Sequence, residues 1–349
     1  MKILDSIKKN TIILLLITIV VLYFVLRNDW NGIVQSLQNI NIWYIFLAII
    51  CYLLYVAMRG YINFKIINDP KTVSLSEAIK QHFIAQFFNG ITPFSTGGQP
   101  MEIYMLKECG LSIAQATNVT VQSFIFYQIA LVICGLVAVT YNFIFHLFPK
   151  LKLLQYLVLL GFIINIIVVI LLLLSYSKAF TKKLEGIAIK VLKKLKVKRS
   201  EEEIKQKFED YHNSFQELKR NKKLVIAGIL LNIVSLLILY VIPLLVFLSL
   251  GDIHSLTIMK TIVSSAYIYL IGAFVPIPGA SGGIEYGYTQ FFGNFAGAGF
   301  VSATVLIWRT ITYYFGIIIG AIVFNIRKKE KVEWELEFLQ RHTLPILVD

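Results

Sequence analysis

Apolar residues in this chain come in long blocks rather than in short alternating stretches. Blocks at about 11–26, 42–58, 113–145, 153–174, 224–250 and 297–325 carry hardly a charge. They approach or exceed the roughly 20 apolar residues that carry a helix across a ~30 Å hydrocarbon layer. The pattern predicts about six full transmembrane helices. Trp43 and Tyr44 open the second block, as aromatic side chains do at a membrane–water interface, and Arg59 ends it. Two further apolar segments, 75–110 and 256–294, are interrupted. The first runs into Asn89-Gly90-Ile91-Thr92-Pro93-Phe94-Ser95-Thr96-Gly97-Gly98-Gln99-Pro100, and the second contains Pro276, Pro278, Gly279, Gly282 and Gly283. Each reads as a broken or re-entrant helix pair. The fold class expected is an all-α polytopic membrane protein.

The chain is expected to form one integral membrane domain over 1–349. It divides into a first half at 1–175, a basic insert at 176–223, a second half at 224–326 and a tail at 327–349. The insert holds 15 Lys and Arg against 7 Asp and Glu, and Glu201–Lys219 mixes signs at helical spacing. Lys2, Lys8 and Lys9 precede the first block as in a signal peptide. No small-residue cleavage site follows, so that block is expected to be retained. Basic residues favour the cytoplasmic side. With Lys2–Lys9, 59–76, the insert and Arg327-Lys328-Lys329 inside, both termini are cytoplasmic and the protein sits in the cell membrane. The scheme puts Lys150 and Lys152 outside.

Composition agrees with the pattern. Of 349 residues, 57% are hydrophobic and 15% charged, and the mean hydropathy is +0.72. A soluble domain averages about 25% charged residues, so a soluble enzyme or free nucleic-acid binder is set aside. The net charge of +13 belongs to topology and anionic lipid rather than to nucleic acid. Cys51, Cys109 and Cys134 show no ligand spacing, and His82, His146, His212, His254 and His342 are scattered. No metal site, cofactor or catalytic residue is expected, and no nucleophile motif or nucleotide-binding loop is seen.

The two interrupted segments share a motif. Pro93-Phe94-Ser95-Thr96-Gly97-Gly98 and Pro278-Gly279-Ala280-Ser281-Gly282-Gly283 are both P-x-x-x-G-G, followed by Glu102 and Glu285 respectively. Three spans lie between them, and an odd number inverts the second copy. Paired broken helices in opposite halves point to a substrate site near the midplane, because irregular backbone at that depth must be buried by protein or line a cavity. Proline removes a donor, and glycine permits positive φ and close approach. The restarted half-helices are expected to aim their N-termini at an anionic group. The alternative is a pair of packing kinks with small residues at helix contacts. Charges within the membrane mark a site or an ion pair. Arg309, mid-span behind Trp308, and Arg59 are expected to serve a phosphate or to pair with Glu285. For Arg59, snorkelling at a helix end is the other reading.

At these motifs the chain resembles the flippase-like family built on the transmembrane region of lysylphosphatidylglycerol synthetases, the multiple peptide resistance factors. The carrying residues are Arg59, Thr92–Pro100, Pro276-Ile277-Pro278-Gly279-Ala280-Ser281-Gly282-Gly283-Ile284-Glu285 and Trp308-Arg309, within most of 5–327. The resemblance implies a lipid translocase that moves an anionic or aminoacylated phospholipid of phosphatidylglycerol type, with a role in antimicrobial peptide resistance. The site residues implied are Arg59, Pro93, Gly97, Gly98, Glu102, Pro278, Gly279, Gly282, Gly283, Glu285 and Arg309. Membrane phospholipids are the expected partners, together with a separate lipid-modifying enzyme. Bifunctional members add a soluble acyltransferase domain, and this sequence shows none after its last span. Relatives carry a Glu-Arg pair in the helix after the first motif, where this chain has Gln122-Ser123. Two alternatives stay open: a lysyl-tRNA-dependent phosphatidylglycerol lysyltransferase or a membrane subunit of one, and a non-transporting scaffold for envelope synthesis.

Overall fold

The computed structural model describes residues 40–148, 151–174, 177–194, 221–252 and 256–327, apart from position 274 and single gaps, with a few isolated positions elsewhere. The described residues form helices α1 (Ile42–Ile67), α2 (Leu75–Ile91), α3 (Gly98–Glu108), α4 (Ile113–Phe145), α5 (Lys152–Leu174), α6 (Lys178–Lys194), α7 (Lys222–Ser249), α8 (Ile258–Gly272), α9 (Gly283–Phe292) and α10 (Ala298–Arg309). The last runs on through a π-helical turn, Thr310–Tyr314, to Arg327. Helices α1, α4, α5, α7 and the extended α10 are long and apolar enough to cross a membrane. The protein is an all-α, multi-pass membrane protein. The expected span at 11–26, most of 195–220 and the tail beyond Arg327 lie outside the described residues.

Local sequence sets the boundaries. Ser74, Ser112 and Thr257 cap α2, α4 and α8 by accepting backbone N–H groups with their hydroxyls, and Gln115 completes a reciprocal capping box at Ser112. Asn68 and His146 end α1 and α4 in the left-handed conformation. Helix α1 therefore runs past Arg59 to Ile67. Arg59 is not at a helix end, which removes the simple snorkelling reading.

Helices α2 and α8, at 17 and 15 residues, are about 22–26 Å long at 1.5 Å per residue, too short to cross. Each turns back through a short loop into α3 or α9. Their directions are fixed by contacts at the helix ends. The Asn41 N–H donates to the Ser249 carbonyl at 2.7 Å, so α1 begins where α7 ends. These two antiparallel helices share the most extensive contact between described elements. The open end of the first hairpin feeds α4 directly. Arg327, at the end of α10, pairs there with Glu77. At the other end of α4, Phe148 packs on Tyr267 of α8 and Phe291 of α9, with ring centroids 5.6 and 5.0 Å apart. The hairpins thus enter from opposite ends of the bundle and their loops touch.

The repeat is also metric. Pro93 and Pro278 lie 185 residues apart, as do the starts of α3 and α9 at 98 and 283 and of α4 and α10 at 113 and 298. That register corrects one expectation: Glu285 falls opposite Pro100, so Glu102 is not its counterpart.

Packing follows membrane rules, in which close approach and interhelical hydrogen bonds replace the hydrophobic effect. A Cβ on Gly60 of α1 would lie 2.6 Å from Ile79 Cα of α2, so the backbones meet there. Ser265 Oγ of α8 donates to the Tyr240 carbonyl at 2.9 Å, one turn before Pro243 inside α7. Helix α5 is mostly exposed and apolar, as a lipid-facing helix would be.

Candidate functional site

The two loops open with the same backbone and diverge after it, Gly97 being at φ −78° and its counterpart Gly282 at +84°. Thr92 and Ile277 are extended, each proline opens a 3-10 turn, and the next two residues are left-handed: Phe94 and Ser95 at φ 53° and 52°, Gly279 and Ala280 at 62° and 51°. For non-glycine residues this conformation costs about 1–2 kcal/mol each, so surrounding contacts must hold the first loop. Gly97 and Gly98 do not supply it, contrary to expectation, because their φ is negative. They are small because a Cβ on Gly97 would lie 2.7–2.8 Å from Thr92 and the Phe88 carbonyl, and one on Gly98 would overlap Asn89.

The starts of the restarted helices are partly capped by their own chain. Gly97 N–H donates to Thr92 Oγ1 and Gly98 N–H to Asn89 Oδ1, both at 2.8 Å. Pro100 brings no N–H at all. Gly282 N–H donates to Glu285 Oε2 at 2.7 Å. Part of the donor set at the start of each half-helix is thus met by the chain's own side chains.

Arg309 is 6% exposed and closes the second loop. Its Nε donates to Glu285 Oε1 at 2.6 Å and a terminal nitrogen donates to the Gly279 carbonyl at 2.9 Å. The guanidinium stacks on Tyr313, 4.5 Å from the ring centroid. Tyr313 Oη in turn donates to the Gly90 carbonyl at 2.9 Å, tying α10 to the first hairpin. The π-helical turn lies just after Arg309, and such turns recur at functional sites. Of the two expected arginine partners, Glu285 takes Arg309 alone.

Arg59 lies elsewhere on the same cavity. Its guanidinium donates to Asn232 Oδ1 of α7 and sits 4.4 Å from the Tyr127 ring centroid of α4, while its Nε is buried without a hydrogen-bond partner. The cavity, of about 430 Å³, lies at the meeting of the hairpins and is lined by residues of α1–α5 and α7–α10. Phe94 at the tip of the first loop lines it and is 58% exposed. Glu102 also lines it, with Oε1 at 3.4 Å from His82 Nδ1.

Comparison with known proteins shows the family. The family model for the lysylphosphatidylglycerol synthase transmembrane region matches residues 11–320. The chain belongs to that family. It is 23% identical over 275 residues to a UPF0104 membrane protein of Archaeoglobus fulgidus, covering 72% of this chain and 76% of the relative. No solved structure matches it.

Within this member of the lysylphosphatidylglycerol synthase transmembrane-region family, Arg59, Gly98, Glu102, Gly279 and Arg309 line the cavity. Pro93, Gly97, Pro278, Gly282, Gly283 and Glu285 shape the loops behind it. Gly283 packs on Val275, 2.6 Å from where a Cβ would meet it. Sequence reading passed over Asn232, Tyr127, His82 and Thr120. Asn232 had a signal, a lone amide inside an apolar span. Tyr127 had none, since an aromatic residue in such a span is ordinary.

Proposed function

We propose that this protein is a lipid translocase of the cell membrane, with both termini cytoplasmic, moving a phospholipid of phosphatidylglycerol type between leaflets. The observation that carries the reading is the pair of hairpins entering from opposite ends, whose equivalent loops meet at a cavity that both Arg59 and Arg309 line. Broken helices from opposed repeats are how membrane transporters place a site that each side can reach in turn. The cavity is of head-group size, within the ~300–1,000 Å³ of ordinary ligand sites. In this reading the phosphate is met by Arg59, Arg309 braces the second loop from the cavity wall, and the acyl chains stay outside.

The test is lipid movement in proteoliposomes, using tail-labelled phosphatidylglycerol and its lysyl ester. The purified protein should exchange at least one of them faster than protein-free vesicles. Arg59→Gln should slow that exchange at least about tenfold while melting at the wild-type temperature. Exchange at the protein-free rate, from folded protein, would overturn the translocase reading.

A further inference from the structure

Two buried ionisable groups of the cavity wall, His82 of α2 and Glu102 of α3, face each other with side chains 5% and 11% exposed. Gln86 Nε2 lies 3.2 Å from His82 Nε2. An amide nitrogen donates, so the neutral ring accepts there and carries its own proton on Nδ1. Nδ1 faces Glu102 Oε1 at 3.4 Å, longer than a formed N–H···O bond, and has no hydrogen-bond partner. With that one proton the pair carries a negative charge. A second proton, on the ring or on the carboxyl, makes it neutral.

The other charge acting on His82 is Arg59 of α1. Helix α4, which packs on α3, brings only uncharged side chains to the cavity, with Tyr127 as its titratable one. On α10, Arg309 is paired with Glu285. Tyr52 and Tyr55 of α1, Tyr127, Tyr269 of α8 and Tyr313 of α10 also line the cavity, and tyrosine ordinarily ionises at about pH 10. Among the described lining residues, His82 and Glu102 are therefore the ones whose charge can change between about pH 5 and 8. An anionic head group entering the cavity meets the negative charge of the singly protonated pair at low dielectric. A phosphodiester beside Arg59 also cancels the field of that guanidinium at the pair. Both effects favour the second proton, and an anion that binds better to the doubly protonated form raises its proton occupancy by the same factor.

We infer that His82 and Glu102 form a proton-binding site that fills as an anionic head group enters, so that lipid anion and proton cross together. The proton comes from water on the entry side and returns to water on the exit side, and no electron moves. The joint crossing rests on the translocase reading, whereas the linked binding does not.

Isothermal titration of the protein in detergent with short-chain phosphatidylglycerol, in two buffers of unlike ionisation enthalpy, counts the protons. Binding should take up about one proton per lipid, and affinity should rise, at its steepest by about tenfold per pH unit, as the pH falls from about 8 to 5. Glu102→Gln removes the negative charge without a proton and should bind at pH 8 more tightly than the wild type. With His82→Gln added, the pH profile should be flat and the proton count zero. A pair that only ties two helices together predicts weaker binding by Glu102→Gln and no proton uptake by the wild type. Either result would overturn the inference whatever the lipid movement. In proteoliposomes, a pH gradient should shift tail-labelled phosphatidylglycerol towards the leaflet on the alkaline side faster than in protein-free vesicles, and the double variant should lose that bias. Exchange that ignores the gradient would overturn the joint crossing and keep the translocase. No movement of lipid, with proton-linked binding intact, would overturn the translocase and keep the proton site.

Discussion

Arg309 and Arg59 are guanidiniums at one cavity whose neighbours give them different work. Arg309 spends its hydrogen bonds on Glu285 and the Gly279 carbonyl, so its first task is to hold the second loop in shape. Removing either partner leaves the other charge buried, which typically costs about 3–5 kcal/mol. Glu285→Gln and Arg309→Gln should therefore each lower the melting temperature clearly in detergent, and the double variant should lose less than the two singles summed. Additive losses would mean that the two residues are not coupled. Arg59 should behave in the opposite way. Its neighbours are neutral and its replacement strands no counter-ion, so Arg59→Gln should leave stability nearly unchanged while altering ligand response.

At the scale of the elements, the loops are where a single atom decides. Gly279 is at φ +62°, and a Cβ there would drive into Tyr313, whose hydroxyl bonds Gly90. Gly279→Ala should cost several kcal/mol, from left-handed strain plus overpacking, and loosen the stack beneath Arg309. Gly186 in α6 is the matched control. Nothing lies within 4 Å of its Cβ position, and Gly186→Ala should stabilise by about 0.5–1 kcal/mol through helix propensity. Paired thermal melts check both, and an unchanged melt for Gly279→Ala would sink the account of the loop.

The P-x-x-x-G-G pair was legible because proline and glycine inside apolar blocks carry a backbone meaning of their own. What the two glycines do was only half legible. In the second loop Gly282 is at φ +84°, whereas its counterpart Gly97 is at −78° and the left-handed residues of the first loop are Phe94 and Ser95, which have no such preference. Tertiary contact imposes that conformation, and no local pattern announces it. The end of α1 was misplaced for a related reason. Arg59 looked like a boundary, but its charge is accommodated inside the bundle by Asn232 and Tyr127, which lie far away in sequence.

For the whole molecule, the inverted arrangement makes a claim about sides. The open end of the first hairpin sits with the end of α10, and that of the second with the far end of α4. Lys107 and Asn294 are exposed at these two mouths. In a background lacking Cys51, Cys109 and Cys134, Lys107→Cys and Asn294→Cys should react with a membrane-impermeant maleimide from opposite sides. The basic-residue pattern puts position 107 inside and position 294 outside. Reaction of both from one side would mean that the two hairpins share an entrance. The cavity would then be a one-sided pocket, the argument for access from each leaflet would fail, and Arg59 would be left as a binding residue without a route across.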